Sequence, residues 1–441
     1  MPLRLRDNDN CARIGDLDTD HGSRVTDHAV SKKITLIGAG IGGIATAAYL
    51  RRDGHEVTVV TMHPPGEYCS FGNAGMLNPS GCVPQAMPGV LAKVPGYLSD
   101  PLGPLTVRWS YLPKALPWLA RFILNAKARQ VEHAADALRA LIKPTQECYE
   151  DLARHAACSE LIRRSPFLVA YESERGYRGD ALAWKLRRER GVVTEDVDAA
   201  GIRKLVPQLA PIYTRGVLVP GQGFVANPER LTKALAAQFQ KDGGTILKRK
   251  VLDIEVGGGG ATALTTDAGR IPVETLIVCG GVHSGELTAM LREPVPIEAE
   301  RGYHVTYSDP ALDLPMPVSV SDAKLFVTPM EMGVRIAGQA EFAGIYAEPD
   351  YRRAEVLERH MKRMFPGVHS ADKTQWMGRR PSMPDSLPVI GPSAKHGNVY
   401  YAFGHGHLGL CGGAPTGKLI ADLLAGRTPG IDLAPYRVNR F

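Results

Sequence analysis

Residues 34–50 read Ile-Thr-Leu-Ile-Gly-Ala-Gly-Ile-Gly-Gly-Ile-Ala-Thr-Ala-Ala-Tyr-Leu, and after Arg-Arg-Asp-Gly-His-Glu the chain continues Val-Thr-Val-Val-Thr through Thr61. The pattern predicts a strand, a glycine turn, a helix and a second strand. Gly38, Gly40 and Gly43 occupy the three places of G-x-G-x-x-G. The first glycine permits the tight turn, the second lets a pyrophosphate approach the backbone, and the third lets the helix pack close to the strand. The unpaired N–H groups and positive dipole end of the helix then face an anion. A lone G-x-G-x-x-G says little, but here the flanking elements fit on both sides. The segment therefore points to a bound dinucleotide; an ordinary βαβ unit with a glycine turn is the plainer alternative.

Working outward, a chain of 441 residues has length for two or three domains. Its 44% hydrophobic and 22% charged content are those of a globular protein. A net charge of +6 is small for this length, and no dense Lys/Arg tract accompanies it, so nucleic acid is not the expected partner. Seven scattered cysteines without a Cys-x-x-Cys pair argue against a disulfide framework or a zinc site and fit a reducing compartment. No uninterrupted apolar run reaches the ~18 residues of a membrane-spanning helix. Residues 1–30 are polar, rich in Asp and Arg and lack an apolar signal core, so a disordered extension is expected there.

The remainder alternates between two textures. A loop-like stretch fills 62–90, and 129–160 reads as helix. Asn227-Pro228 is a helix start, with Leu231, Leu235 and Phe239 as its apolar stripe. Strands are predicted at Thr245–Lys248, Val251–Val256, near Ala261–Thr266 and at Thr275–Cys279. From 299 to 345 short runs separated by turn residues predict an antiparallel sheet, and 349–365 returns to helix. The expected fold is α/β (α+β overall): a Rossmann-like cofactor domain from 31–85, 225–298 and 385–441, interleaved with an antiparallel-sheet substrate domain from 86–224 and 299–384. Residues 101–130 set Trp109, Leu116, Trp118, Phe122 and Leu124 beside Lys114 and Arg121. Such a segment packs on a neighbouring domain or lies on a membrane surface.

Toward the C-terminus, Asn398–Phe403 reads as a strand leading into Gly404-His405-Gly406-His407-Leu408-Gly409, and a helix is expected from about Gly413. Glycines crowded before a helix again suit an anionic partner, such as the reduced flavin near N1 and C2=O. His405 and His407 alone supply too few ligands for a metal, so none is expected.

Five segments together resemble the flavin-dependent D-amino acid oxidase superfamily, the D-amino acid dehydrogenases most of all. They are Gly38–Gly43, Ser70-Phe71-Gly72-Asn73-Ala74-Gly75, Cys279–Ser284, Arg301-Gly302-Tyr303 and Trp376–Gly417. The resemblance implies non-covalent FAD and oxidation of a small D-amino acid, or a secondary amine acid, to an imine that water hydrolyses. Electrons would pass to oxygen, a quinone or a carrier protein. By position it implies that Gly38, Gly40 and Gly43 hold the pyrophosphate, with Ser70, Asn73, Ala74 and Gly75 against the flavin. Val251 would offer its backbone to the adenine, Gly280 and Gly281 would close on the diphosphate, and Gly406, His407, Leu408 and Gly409 would face the pyrimidine end. Arg380 matches the arginine that clamps the substrate carboxylate, a task suited to a guanidinium fork. Tyr303 matches a tyrosine near the substrate, and His407 could donate there as well.

One departure stands out. The acidic residue that usually ends the second strand and binds the ribose is Thr61 here, which can still accept a neutral hydrogen bond. The expected setting is cytoplasmic, with peripheral contact to the inner face of a membrane and oligomerisation both left open. Two alternatives stay open at this point: a flavin-carrying subunit of a larger dehydrogenase, and a NAD-dependent dehydrogenase.

Overall fold

The computed structural model describes residues 31–100, 103–370 and 372–441. The expected disordered extension at 1–30 lies outside the described residues. Lys32–Phe441 forms one compact unit.

That unit is organised on two large sheets. The first has six strands in the order Thr245–Lys248, Glu56–Thr61, Lys33–Ile37, Thr275–Val278, Val399–Phe403 and Val389–Pro392, parallel throughout except for the last pair. Its strands are the apolar runs of the cofactor blocks, buried as a parallel sheet requires. The helix Ile41–Arg52 packs beside the C-terminal helix Gly409–Leu424, and both join the core around Ile34, Leu36, Val57 and Ile277. Glycine makes the helix contact close. A Cβ at Gly417 would come within 2.7 Å of the Thr46 amide nitrogen, and one at Gly413 within 3.2 Å of Gly42 Cα.

The second sheet has nine strands. Eight follow the order Asp372–Ser382, Glu298–Ser308, Gly333–Phe342, Leu325–Met330, Val318–Val320, Phe167–Tyr171, Arg215–Val219 and Glu195–Asp198, and Leu105–Val107 pairs with Gly333–Phe342. Two of its pairings are parallel, so the sheet is mixed rather than antiparallel throughout. One face packs under the helix Arg352–Met364 through Val305, Ile336, Leu357 and Met361. The other face looks toward the first sheet across a cleft.

Several local readings shift. The segment 129–160 is two helices, Ala128–Ile142 and Thr145–His155, divided at Pro144. Their apolar stripes, with Leu138, Leu141, Tyr149 and Leu152, bury against the cofactor layer rather than the substrate sheet. The C-terminal helix begins at Gly409, four residues before the expected start, and runs through Pro415. Proline lacks the N–H that would bond the carbonyl of residue 411. The Thr145 hydroxyl lies 2.8 Å from that carbonyl and shares its one hydrogen between it and the Ile142 carbonyl at 2.6 Å. The loop-like 62–90 stretch gives way to a helix, Val90–Ser99, and 101–130 contains the helix Leu112–Leu124. Both helices line the cleft. Trp118 is buried and donates to the Ser382 carbonyl at 3.2 Å, whereas Trp109 is 72% exposed. No helix among the described residues is long and apolar enough to cross a membrane.

Candidate active site

Between the two sheets lies a cavity of about 1060 Å³. It slightly exceeds the upper range for an ordinary small-molecule site, ~1,000 Å³. Gly38, Gly40 and Gly43 line one end; Arg380 and His407 line the region over the second sheet.

The glycine turn is built for close approach. Gly38 sits at φ +113, and a Cβ there would collide with the Cys279 carbonyl at the end of the neighbouring strand; one at Gly43 would collide with the Gly38 carbonyl. Ser70 Oγ accepts the Ile41 N–H at 2.9 Å, occupying one first-turn amide and bringing the Ser70 segment against the helix start. The neighbouring first-turn amides have no intrahelical acceptor. Gly280, beside Gly38, and Gly281 line the cavity too, as do Thr61, Val251, Arg249 and Lys250. The Thr61 hydroxyl donates to the His63 carbonyl at 2.7 Å, so toward a ribose it is an acceptor only.

The segment that was expected against the flavin is tied down from below. Asn73 Oδ1 accepts the Gly75 N–H at 2.8 Å, and the Gly75 carbonyl accepts the Val225 N–H at 2.7 Å. Asn73 and Ala74 line the cavity; Gly75, at φ +75, is packed behind them against Met330. Two residues that sequence reasoning missed hold this loop. Arg335 donates through Nη1 to the Asn73 carbonyl (2.8 Å) and the Phe71 carbonyl (3.1 Å), and His304 Nδ1 bonds the Gly72 carbonyl at 3.0 Å. Burial, with Arg335 adding to it, pushes the His304 imidazole down to about 3, so it is neutral and donates that bond.

At the other end of the cleft, Gly406–Leu408 forms a single turn leading into the C-terminal helix, with Gly406 at φ +54. The two histidines diverge. His405 bonds Thr416 Oγ1 at 2.8 Å, and burial lowers it to about 4. His407 is exposed to the cavity, which it lines. Burial lowers its imidazole below the ordinary range; Glu300 opposes and Arg380 adds to the effect. Its ring is therefore neutral near pH 7, one nitrogen donating and the other accepting.

Arg380 is fixed by a partner absent from the sequence reading. Glu300 stands directly across from it on the adjacent strand. Arg380 Nη1 donates to Glu300 Oε1 at 2.7 Å and to the Gln339 carbonyl at 2.8 Å, and Nη2 donates to the Gly338 carbonyl at 3.2 Å. Both carbonyls belong to a register shift, where Gly333–Phe342 spends one residue more than Glu298–Ser308 between paired positions. Such a bulge leaves backbone groups unpaired with the partner strand. A guanidinium has five N–H donors. Three are engaged, leaving Nε–H and one Nη2–H for a ligand. A Cβ at Gly302 would collide with Nη2, so only glycine there lets the guanidinium lie flat over the sheet. Burial alone would raise the Glu300 carboxyl. The Arg380 charge and hydrogen bonds from Gln85 (2.9 Å) and Ser382 (2.8 Å) outweigh it and lower the Glu300 carboxyl below its ordinary value.

Tyr303 borders the same cavity, but its ring does not face this group. Side chains alternate along a strand, and Tyr303 points to the helix-covered face, 1% exposed, among Val305, Leu357 and Met377. Its hydroxyl donates to Glu341 Oε2 at 2.6 Å and accepts the Asp350 N–H at 3.0 Å, which makes it a packing residue of the sheet. Arg379, next to Arg380, lines the cavity as well, with its guanidinium 5.8 Å from the centre of the Tyr68 ring, and donates to the Ile345 carbonyl at 2.5 Å.

The arrangement thus offers a glycine-lined helix start, a cavity large enough for a dinucleotide, and an oriented cation with two free donors. Comparison with known proteins agrees with it. Residues 33–423 match the family model described as FAD dependent oxidoreductase. A protein of Bradyrhizobium diazoefficiens named D-amino-acid oxidase is 40% identical over 417 residues, covering 93% of this chain and 99% of the relative. One of Rhizorhabdus wittichii named D-amino acid dehydrogenase is 30% identical over 421 residues, covering 93% of this chain and all of the relative. Among solved structures, glycine oxidase from Geobacillus kaustophilus shares the fold, with a TM-score of 0.71 at 19% identity over 92% of this chain and 98% of that one.

Proposed function

Because the chain belongs to the family of FAD dependent oxidoreductases, we propose that it oxidises a small α-amino acid of D configuration to the imine, which water hydrolyses to the 2-oxo acid and ammonia. Membership stands against the NAD-dependent alternative. The D configuration follows the names of the relatives, D-amino-acid oxidase and D-amino acid dehydrogenase. FAD, held by the residues named below, would supply the two-electron sink for the substrate Cα–H hydride.

Gly38, Gly40, Gly43 and the first-turn amides would hold its pyrophosphate. Gly280 and Gly281 would close on that side, and Thr61 would accept from the ribose. Val251 would meet the adenine, and Asn73 and Ala74 the flavin ring, with Ser70 and Gly75 shaping their loop. Gly406, Leu408 and Gly409 would set the start of the C-terminal helix against the pyrimidine end.

The observation that carries the reading is Arg380. Its anchors orient it without using the two donors that a carboxylate needs. Holding the substrate carboxylate there fixes Cα within the geometry for transfer, reacting atoms ~3–3.5 Å apart. Neutral His407 stands beside it and supplies a donor or an acceptor to the substrate amine or carboxylate. The amine must be uncharged to push electrons out of Cα–H, and it can lose its proton to water on binding, so no side chain is assigned as base. Proline-like and N-alkyl acids fit the same scheme, since only the carboxylate and the Cα–H are fixed.

The acceptor that reoxidises the flavin is oxygen, a quinone or a carrier protein. The alternative of a flavin-carrying subunit differs in needing a partner for turnover. A panel of D- and L-amino acids, run on the isolated FAD-loaded protein with an artificial dye with and without air, tests these points together. Turnover of D-amino acids is the expected result. Reduction by L-amino acids alone would reverse the stereochemistry, and no reduction by any member would sink the reading.

A further inference from the structure

The cleft floor extends well past Arg380. Ala337, Phe326, Ser319 and Val169 stand directly opposite one another on four adjacent strands, and all line the cavity. This row leads from the bulge under Arg380 to the strand Phe167–Tyr171. Above that strand stands the helix Ala181–Glu189, anchored by Trp184 Nε1, which donates to the Tyr171 hydroxyl at 2.8 Å.

Arg187, on the same helix, also lines the cavity, with its guanidinium 4.7 Å from the centre of the Trp184 ring. Only two of its donors are engaged, both in long bonds: Nε to the Ser80 carbonyl at 3.3 Å and Nη1 to the Ala183 carbonyl at 3.4 Å. Among the described residues no carboxylate lies within ion-pairing distance of it. Asp180, the acid on the same wall, is committed to Tyr171 (3.1 Å), to Ser321, and at 3.7 Å to Lys324. A half-buried guanidinium on the cavity wall with three idle donors lacks the partner that usually accompanies such a charge. Desolvation lowers the pKa of the guanidinium, which agrees with a charge that has no close counter-ion.

We infer that Arg187 is a second anion subsite, and that the preferred substrate is an amino acid whose side chain ends in a carboxylate. The inference rests on the reading of Arg380 given under Proposed function. Three strand spacings separate the Ala337 strand from the Val169 strand, about 14 Å in all. A substrate held at both ends must reach across several of these strand spacings. Aspartate is too short for this, and a side chain longer than that of glutamate fits best.

The test is a length series on the FAD-loaded protein. D-glutamate, D-α-aminoadipate and D-α-aminopimelate are compared with the neutral D-norvaline, D-norleucine and D-α-aminoheptanoate. The acid-over-neutral ratio of kcat/KM should rise with length and reach at least tenfold for the longest pair. Arg187→Met, which keeps an unbranched chain over Trp184, should bring that ratio near one, with neutral substrates within about threefold of the parent. Arg187→Lys should restore part of the ratio, and this keeps the test decisive if the Met variant loses its flavin or its fold. Turnover of the neutral series without an acid preference, or a preference that survives Arg187→Met, overturns the subsite and leaves the Arg380 reading standing. A loaded enzyme that oxidises neither series overturns both.

Discussion

At the scale of single residues, the site is a charged pair with a spare edge. Arg380 could be singled out in the sequence because it sits in a specific Arg-Pro-x-x-Pro-Asp run. Glu300 could not, because a lone glutamate in a strand has the same local signature whether it faces solvent or a buried arginine. Only the strand pairing that sets residue 300 across from 380 brings them together. Tyr303 is the converse: its segment matches a familiar pattern, but strand parity turns its ring to the far face. Glu300→Gln keeps the shape and removes the charge that anchors Arg380. Removing one partner of a buried pair costs ~3–5 kcal/mol. The low end, about 3 kcal/mol, is expected in urea unfolding because Arg380 is 25% exposed in the cleft. KM for the best amino acid should rise in the same variant while bound FAD stays stoichiometric. An unchanged KM would show that Glu300 does not position the guanidinium.

At the scale of elements, the glycine turn and the strands around it were legible because periodicity and turn residues are local properties. What escaped was long-range. The bulge at Gln339 depends on how two strands separated in sequence are registered. The helix through Pro415 is met from another helix by Thr145, whose hydroxyl hydrogen is shared between the carbonyl that proline leaves unpaired and that of Ile142. Thr145→Val should therefore lower stability by about 1–3 kcal/mol, the penalty of a buried carbonyl left unsatisfied, measured as a shift in denaturation midpoint. Gly302→Ala tests the platform under Arg380. Its methyl would collide with Nη2, so kcat/KM should fall at least tenfold with FAD binding unchanged. An alanine variant of full activity would show that the guanidinium need not lie on the sheet.

At the scale of the whole molecule, a largely parallel sheet and a mixed sheet face each other across a cleft. The helical pair Ala128–Ile142 and Thr145–His155 could not be placed from its sequence, since its apolar stripe does not say which layer it will cover. Residues buried between the layers give the molecule an acid limit. His304 and His405, held at about 3 and about 4, are neutral when folded. Unfolding returns each to the ordinary value near 6.5. The unfolded chain thus binds more protons below that pH, so the stability they contribute is complete above ~6.5 and is lost as pH falls through the window below it. The slope is ~1.4 kcal/mol per pH unit per histidine. Thermal melts should decline from pH 7 to pH 5, and His405→Asn, which replaces the imidazole with a group that does not titrate, should flatten the decline.

The whole account converges on one event, the reduction of bound flavin by an amino acid whose carboxylate Arg380 holds. Rapid anaerobic mixing of the FAD-loaded protein with its best D-amino acid measures it without reference to any acceptor. The parent protein should bleach in a single saturable phase. Arg380→Met, with the same flavin content, should need far more substrate, a loss of about 2–5 kcal/mol in the second-order rate constant for reduction. Bleaching by Arg380→Met at the parent's rate and saturation would contradict the central claim.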